Sequence, residues 1–411
     1  MSFEDEVNFC INFLKAQDVS EKSCVYSPIS LLNSLAMVYA GCDGNTAKEI
    51  ENVIGKGKIK DEIINYYSNY IKRHKAVKED GDDKIVATLL SEGSGAKSSS
   101  YSLSDTTEAN TKLIKDDEPV KFKVNATNKL FVDISIKVLD SFIEIINQKF
   151  DGEIHLVNFK EKNSEAVNQI SKFVNDTTNQ LIYRESQGVN VETKIILLNE
   201  TYFIGRWATP FISREKGTFY SKIPREIDFM QKDKVCNYIE GDDWKCVGIP
   251  YKGWNIWMFV ILPNENDGLQ GLINKMDYSL LMECTIGYYV TIPAFEICGN
   301  YDLVNNLSEL GIHDLSNPSD CNLSKMIDKT SCGCYVYKAI HRSAIKIDEY
   351  GTGVGSIRRD DKFPGVMTEE FKADHPFMYC IASVDKSDYE ENDDFYAQKL
   401  PTEILFTGVF C

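Results

Sequence analysis

The order of the hydrophobic patterns constrains the fold of this 411-residue chain more strongly than any other feature. Within residues 3–75, apolar side chains recur at three- and four-residue spacing, which predicts amphipathic helices. From Val124 onward most patterns are those of short β-strands. Helices gathered at the start of a chain and antiparallel-type strands gathered later are typical of the α+β class. We therefore predict an α+β fold.

Local signals place several of these elements. Ser27 and Pro28 supply an N-cap and a first-turn proline for a helix that ends at Gly41. The tetrapeptide from Thr46 to Glu49 predicts a capping box at the start of the next helix. The strand candidates are short runs rich in apolar residues, at 194–203, 257–262, 288–295, 343–347, 377–383 and 403–410.

Charge and hydrophobicity exclude several classes of protein. The 62 acidic residues outnumber the 45 basic ones, and the net charge of −17 argues against nucleic acid or an anionic membrane as the main partner. A hydrophobic fraction of 43% can bury a large core. The apolar run at 256–262 is too short for membrane insertion. The N-terminus has no basic and apolar segments of a signal peptide, so we expect a cytoplasmic protein, with unconventional export or surface exposure left open.

The cysteines and histidines do not predict a metal or redox site. The chain has 12 cysteines without a Cys-x-x-Cys pair, and its five histidines are far apart in the sequence. This usage is typical of reduced thiols in a cytosolic chain. We expect no metal and no cofactor.

Two segments lack helical or strand periodicity. Residues 79–119 are rich in Gly, Ser, Asp and Lys and cannot form a core of their own, so we predict a polar insertion between a helix and the strand near Asn128. Residues 349–375 are a long charged stretch that begins with closely spaced glycines. Loops of this length inside a domain are usually functional or disordered, so we expect this one to be presented to a partner.

Short motifs spread along the chain resemble the serpins, in the order in which that family has them. They are YSPIS at 26–30, NETYFIGRWATPF at 199–211, IPY at 249–251, ILP at 261–263, IPAF at 292–295, YDL at 301–303, LGI at 310–312, His341, Glu349 with Gly351 and Thr352, HPF at 375–377 and LFTG at 405–408. Together they cover residues 26–408 except for the polar insertion.

The resemblance implies a single serpin domain over residues 1–411, with three β-sheets surrounded by about nine helices and an exposed reactive-centre loop. The absence of a leader is similar to the ovalbumin-like branch. Serpins trap a serine protease as suicide substrates: the protease becomes acylated by the loop, which then inserts into the main sheet. Such a protein is not an enzyme. The rival prediction is a non-inhibitory serpin with a binding, storage or chaperone-like role.

The family spacing places the bond that the protease attacks. Counting about 14 residues on from Gly351, and about 11 back from Pro376, reaches Gly365 in both cases. The predicted reactive bond is therefore Gly365–Val366, which suits an elastase-like protease with a small specificity pocket. Two alternatives stay open: Pro-Gly as a mere turn in an inactive loop, and a shifted register that exposes Lys362, Phe363 or Met367.

The hinge, the segment at which the loop begins, matches the hinge sequence of inhibitory serpins only in part. By resemblance its residues are Glu349, Gly351, Thr352, Gly353 and Val354. If the loop inserts as a strand, alternate residues turn inward, and these include Arg358 and Asp360. An unpaired buried charge costs several kcal/mol, so these two residues favour the non-inhibitory rival.

Three polar residues match the serpin "shutter", the hydrogen-bonded latch at which the main sheet opens: Ser30, Asn199 and His341. A nucleophile beside a base is the catalytic alternative. The resemblance favours the latch. Polyanion binding, which some serpins perform on a helix that here carries Lys72, Arg73, Lys75 and Lys78, is not expected, because acidic residues follow at once.

Overall fold

The computed structural model describes residues 3–17, 22–74, 122–150, 152–161, 164–170, 189–232, 237–276, 285–286, 289–331, 333–352, 370–384 and 401–411. These residues form three β-sheets and seven α-helices, together with a helical stretch at 164–170. The predicted α+β class is confirmed. Within the described ranges no helix is both long and apolar enough to cross a membrane.

The helices are α1 (Phe3–Lys15), α2 (Pro28–Gly41), α3 (Gly44–Ile54), α4 (Lys60–His74), α5 (Asp140–Ile145, continued by the π-helical turn Ile146–Phe150), α6 (Leu269–Lys275) and α7 (Leu303–Glu309). The strands are β1 (Cys24–Tyr26), β2 (Phe122–Asp133), β3 (Glu153–Val157), β4 (Ile195–Arg206), β5 (Ser213–Phe219), β6 (Arg225–Lys232), β7 (Asn237–Glu240), β8 (Trp244–Pro250), β9 (Ile256–Pro263), β10 (Thr285–Ile286), β11 (Tyr289–Pro293), β12 (Phe295–Asp302), β13 (Val336–Asp348), β14 (Gly351–Thr352), β15 (Glu370–Lys372), β16 (Phe377–Val384) and β17 (Pro401–Phe410).

The main sheet has six strands in the order β12-β13-β14-β4-β2-β3. Strands β13 and β4 are parallel and pair directly between Val336 and Ala344, and the two-residue strand β14 lies between them at one end. A seven-stranded sheet has the order β1-β17-β16-β9-β8-β7-β10, and a four-stranded sheet the order β15-β11-β6-β5.

Helix α2 lies at the centre of the core, and all of its residues are buried. The predicted N-cap is confirmed, because the Ser27 hydroxyl accepts a hydrogen bond from the Ser30 N–H. The capping box predicted at Thr46 is wrong. The N-cap of helix α3 lies three residues earlier, at Asp43, whose carboxylate accepts from the Gly44 N–H, and the Thr46 hydroxyl instead accepts a hydrogen bond from the Asn322 N–H.

The strand predicted at 288–295 is two strands in different sheets. Strand β11 ends at Pro293, and after Ala294 strand β12 begins in the main sheet. The Ala294 N–H donates to the Asp228 carbonyl, which fixes the chain where it changes sheets. A continuous apolar run therefore concealed a change of sheet, because residues 290–293 of β11 are all buried and β12 resumes with the buried Phe295.

Candidate functional site

The first residues of the predicted loop are already part of the main sheet. Gly351 and Thr352 form β14, which pairs antiparallel with Asp348 and Ile347 of β13 on one side. On its other side, the same two residues pair antiparallel with Arg206 and Gly205 of β4. The main sheet thus accepts the start of the loop as a strand in the gap where β13 and β4 no longer touch.

The gap is shaped for these two residues. A Cβ on Gly351 would lie 2.1 Å from the carbonyl oxygen of Gly205, so only glycine fits between the strands without a shift of the backbone. The Thr352 side chain is fully buried, and its hydroxyl lies 2.6 Å from the Tyr251 hydroxyl. Burial raises the pKa of Tyr251, which keeps the phenol protonated as a hydrogen-bond partner.

The turn that leads from β13 into β14 is held at several points. The Asp348 carboxylate accepts hydrogen bonds from the N–H groups of Tyr350 at 2.9 Å and Gly351 at 3.2 Å. The Trp207 indole N–H donates to the Asp348 carbonyl at 2.9 Å. Burial raises the pKa of the Asp348 carboxyl to about 6, against the lowering effect of the backbone hydrogen bonds. Asp348 is thus the group of this turn whose raised pKa brings its titration towards neutral pH.

Glu349 ties the same turn to the four-stranded sheet. Its carboxylate lies 3.3 Å from the guanidinium of Arg214 in β5, which also contacts Asp228 of β6 at 2.8 Å. The Glu349 carbonyl accepts a hydrogen bond from the Phe211 N–H. Because the ion pairs are partly exposed, their electrostatic contribution is modest, and the backbone contact carries part of the attachment.

The three shutter candidates lie in one hydrogen-bond network. The Asn199 amide nitrogen donates to the Ser30 hydroxyl at 2.7 Å and to the Asn128 side-chain oxygen at 2.6 Å. The Asn199 side-chain oxygen contacts Nδ1 of His341 at 2.5 Å, and the Ser27 N–H donates to Nε2 of His341 at 3.1 Å. The network therefore joins β13, β4 and β2 to the first turn of α2.

The network fixes the state of His341. Because Nε2 accepts from a backbone N–H, Nδ1 must carry the proton that is donated to Asn199. Burial lowers the pKa of His341 to about 3, so the ring is neutral at neutral pH. Both ring nitrogens are occupied, and neither bonds to the Ser30 hydroxyl. The arrangement is that of a structural hydrogen-bond network and not of a nucleophile beside its base.

Other predicted residues lie outside the part of the chain that the structure describes. They are Gly353 and Val354 of the hinge, the bond Gly365–Val366, Arg358 and Asp360, Lys75 and Lys78, and the insertion 79–119. The described chain resumes at Glu370, the first residue of β15, in the four-stranded sheet. The predicted loop thus connects the main sheet to the four-stranded sheet.

The sequence did not point to Asn128, which connects the network to the neighbouring elements. Its amide donates to the Asn33 side-chain oxygen at 2.7 Å, and its side-chain oxygen accepts from the Ser34 hydroxyl at 2.6 Å. The β-pattern at 122–133 contains two asparagines, Asn125 and Asn128, and nothing in the pattern shows which of them lies in the network. Across the described ranges no cluster of His, Cys, Asp and Glu is arranged to hold a metal ion.

Comparisons with known proteins agree with the fold and the motifs. The family described as Serpin (serine protease inhibitor) matches residues 4–388. A leukocyte elastase inhibitor of Xenopus laevis is 26% identical over 91% of this chain and 93% of its own length. Human Serpin B3 is 26% identical over 90% of this chain and 92% of its own length.

Solved structures share the fold. Uncleaved ovalbumin superposes with a TM-score of 0.77, at 19% identity, and covers 99% of this chain and 98% of its own. Serpin48 of the insect Tenebrio molitor superposes with a TM-score of 0.73 at 23% identity, covering 99% of this chain and 97% of its own.

Proposed function

Since this chain belongs to the serpin family, we propose that it traps a serine protease by presenting the part of the predicted loop 349–375 that lies between Thr352 and Glu370 as a substrate. The observation that carries the proposal is β14. Gly351 and Thr352 already pair with β13 and β4, and Thr352 turns inward to Tyr251. After cleavage, the residues that follow Thr352 extend this strand between β13 and β4.

The register of β14 predicts which neighbours each inserted residue meets. Thr352 pairs with Gly205 of β4 and with Ile347 of β13. Six residues further along an antiparallel strand, Arg358 would pair with residues 199 and 341, which are Asn199 and His341 of the latch. Because side chains alternate, Arg358 would turn inward like Thr352.

This register also supports the rival function. A guanidinium placed beside the neutral, fully buried His341 must leave water, and Asp360 would follow it inward one pleat later. The two charges lie on one face at a spacing that permits them to pair. We therefore expect slowed insertion, whereas a non-inhibitory binding, storage or chaperone-like serpin would show no insertion.

An elastase-like enzyme is the proposed target. Gly365 at the predicted reactive bond suits a small specificity pocket, and the Xenopus laevis relative is named as a leukocyte elastase inhibitor. Serine-protease trapping is thus the broader proposal and elastase the narrower one.

The test is a gel that detects the covalent acyl-enzyme. The protein is incubated with elastase, chymotrypsin and trypsin, and the products are separated in SDS. We expect an SDS-stable band at the summed mass with elastase. The matched control is the same elastase with its nucleophilic serine blocked, which should give neither the band nor cleavage. Cleavage by every active protease without any stable band would favour the non-inhibitory function.

A further inference from the structure

Three consecutive polar pairs join β4 to β13 in the middle of the main sheet. Asn199 lies opposite His341, Glu200 opposite Arg342, and Thr201 opposite Ser343. We call these six residues the polar seam. All six are buried, whereas the adjoining positions of both strands are largely apolar. Sheet formation alone does not require polar side chains at these positions, so the polarity of the seam has another cause.

The central pair of the seam is a buried ion pair. The Glu200 carboxylate lies 3.8 Å from the Arg342 guanidinium, and the two side chains are 3% and 2% exposed. Because side chains alternate along a strand, this pair faces away from the latch side and lies on the face that carries Leu198 and Ile340. Those two residues belong to an apolar cluster with the helical stretch at 164–170. Charges attract more strongly in such surroundings than in water.

Each member of the pair is fixed to a different half of the main sheet. The Arg342 side chain donates through Nε to the side-chain oxygen of Asn300 at 3.3 Å, and Asn300 lies opposite Arg342 in β12. Glu200 lies in β4, which pairs with β2 on its other side. The ion pair therefore bridges the boundary at which the two halves separate when a new strand enters.

We propose that Glu200 and Arg342 form an electrostatic clasp that holds β4 and β13 together until a strand enters between them. A strand adds about 4.8 Å to their spacing, so the charges would move from 3.8 Å to about 8.6 Å apart. The Coulomb attraction falls with distance and would drop to less than half. The consequence for inhibition rests on the function proposed above: the clasp sets the ease of insertion and hence the share of protease that is trapped.

The clasp is tested on the intact protein by hydrogen exchange followed by mass spectrometry. In Glu200→Gln the side-chain shape is kept and the attraction is lost. We expect the backbone amides of residues 195–202 and 336–344 to exchange at least about tenfold faster. A tenfold faster exchange corresponds to a free energy of local opening that is lower by about 1.4 kcal/mol. Amides of β16 and β17 should keep their rates. Equal acceleration everywhere would indicate global destabilisation and would overturn the proposal, as would unchanged exchange in β4 and β13.

The matched control breaks an ion pair elsewhere in the same sheet. Lys129 of β2 lies 3.4 Å from Glu153 of β3, away from the boundary. Lys129→Met should leave exchange of residues 336–344 unchanged, and acceleration there equal to that of Glu200→Gln would contradict the clasp.

A double-variant cycle tests the pairing itself. Arg342→Gln and Glu200→Gln together should speed exchange less than the product of the two single effects, because each single change already removes the attraction. Strictly multiplicative effects would overturn the proposal. These readouts need no protease. If no variant forms a covalent complex but exchange behaves as expected, the proposed function fails and the clasp stands.

Discussion

At the scale of single residues, His341 is the side chain on which the latch depends. Its ring bridges the Ser27 N–H and the Asn199 side chain, and it is fully buried. His341→Ala should leave these groups without their partner, which costs about 1–3 kcal/mol of unfolding free energy. Because the network joins the strands that separate in the proposed insertion, the variant should also polymerise faster on mild heating.

Urea unfolding and native gels check this prediction. His155→Ala, at a histidine of β3 outside the network, serves as the control: it removes contacts with Glu153 and the Phe131 ring and can lower the unfolding free energy, but it should leave the polymerisation rate unchanged. Polymerisation at the wild-type rate in His341→Ala would mean that these residues do not control sheet opening.

One buried group, His341, and one partly buried group, Asp348, give the unfolding free energy opposite dependences on pH. His341 has a folded pKa of about 3, below the unfolded 6.5, so stability is lost as the pH falls below 6.5, by about 2 kcal/mol at pH 5. Asp348 has a pKa of about 6 in the folded protein, above 3.8 in the unfolded chain. As the pH falls, the folded state therefore binds this proton before the unfolded state does, which stabilises the folded state. At pH 5 this gain offsets about 1 kcal/mol of the loss caused by His341.

The variant Asp348→Asn should remove this offset while keeping a side-chain oxygen for Tyr350 and Gly351. Between pH 6.5 and 5, its unfolding free energy should fall by about 1 kcal/mol more than that of the wild type, as measured by urea titration at each pH. Parallel curves for the two proteins would show that Asp348 does not titrate in this range.

The residue whose carbonyl carbon the protease attacks is predicted to be Gly365. Cleavage by elastase should release a C-terminal peptide that begins with Val366, and mass spectrometry of that peptide reads the site directly. A peptide that begins at Phe363 or Thr368 would show that the count from Gly351 and Pro376 is out of register.

At the scale of elements, the sequence predicted the helices and strands whose local signal is unambiguous, such as burial on all sides or an N-cap followed by proline. Strand β9 is buried along its whole length and reads as a continuous apolar run, and α2 carries its own cap and proline. Strands β5 and β6 were not predicted. Their sequences, SREKGTF and REIDFMQK, are rich in charged side chains, and their pairing with each other is not visible in either segment alone.

The same limit applies to the site. Ser30, Asn199 and His341 could be named because their motifs resemble a known family. Asn128, Tyr251 and Arg214 could not, because their roles arise from strands and turns distant in sequence that meet only in the fold. The Glu200–Arg342 pair depends on the register of β4 against β13, which no local pattern reveals.

The insertion at 79–119 is predicted to be dispensable. Helix α4 ends at His74 and β2 begins at Phe122, so the insertion lies between two well-defined elements. Replacing it with a short Gly-Ser linker should shift the thermal midpoint by no more than a few degrees, as expected from about 1 kcal/mol or less. Loss of soluble protein would show that the segment packs against the rest of the domain.

At the scale of the whole molecule, the proposed trapping is a race between strand insertion and hydrolysis of the acyl-enzyme. A new central strand gains hydrogen bonds on both edges, whereas Arg358 and Asp360 must be desolvated. We expect a mixture of covalent complex and cleaved protein, with more than one inhibitor molecule consumed per protease. Arg358→Thr with Asp360→Ala should raise the fraction of complex, measured by densitometry of SDS gels. An unchanged fraction would show that these charges do not limit insertion.

Thermal unfolding of the intact and the loop-cleaved protein tests the central claim most directly. Insertion of the cleaved loop between β13 and β4 completes the strand that β14 begins, so the cleaved protein should melt at a clearly higher temperature than the intact protein. The variant with Arg358→Thr and Asp360→Ala should gain at least as much. An unchanged melting temperature after cleavage, in both the wild type and the double variant, would contradict insertion and identify the chain as a non-inhibitory serpin.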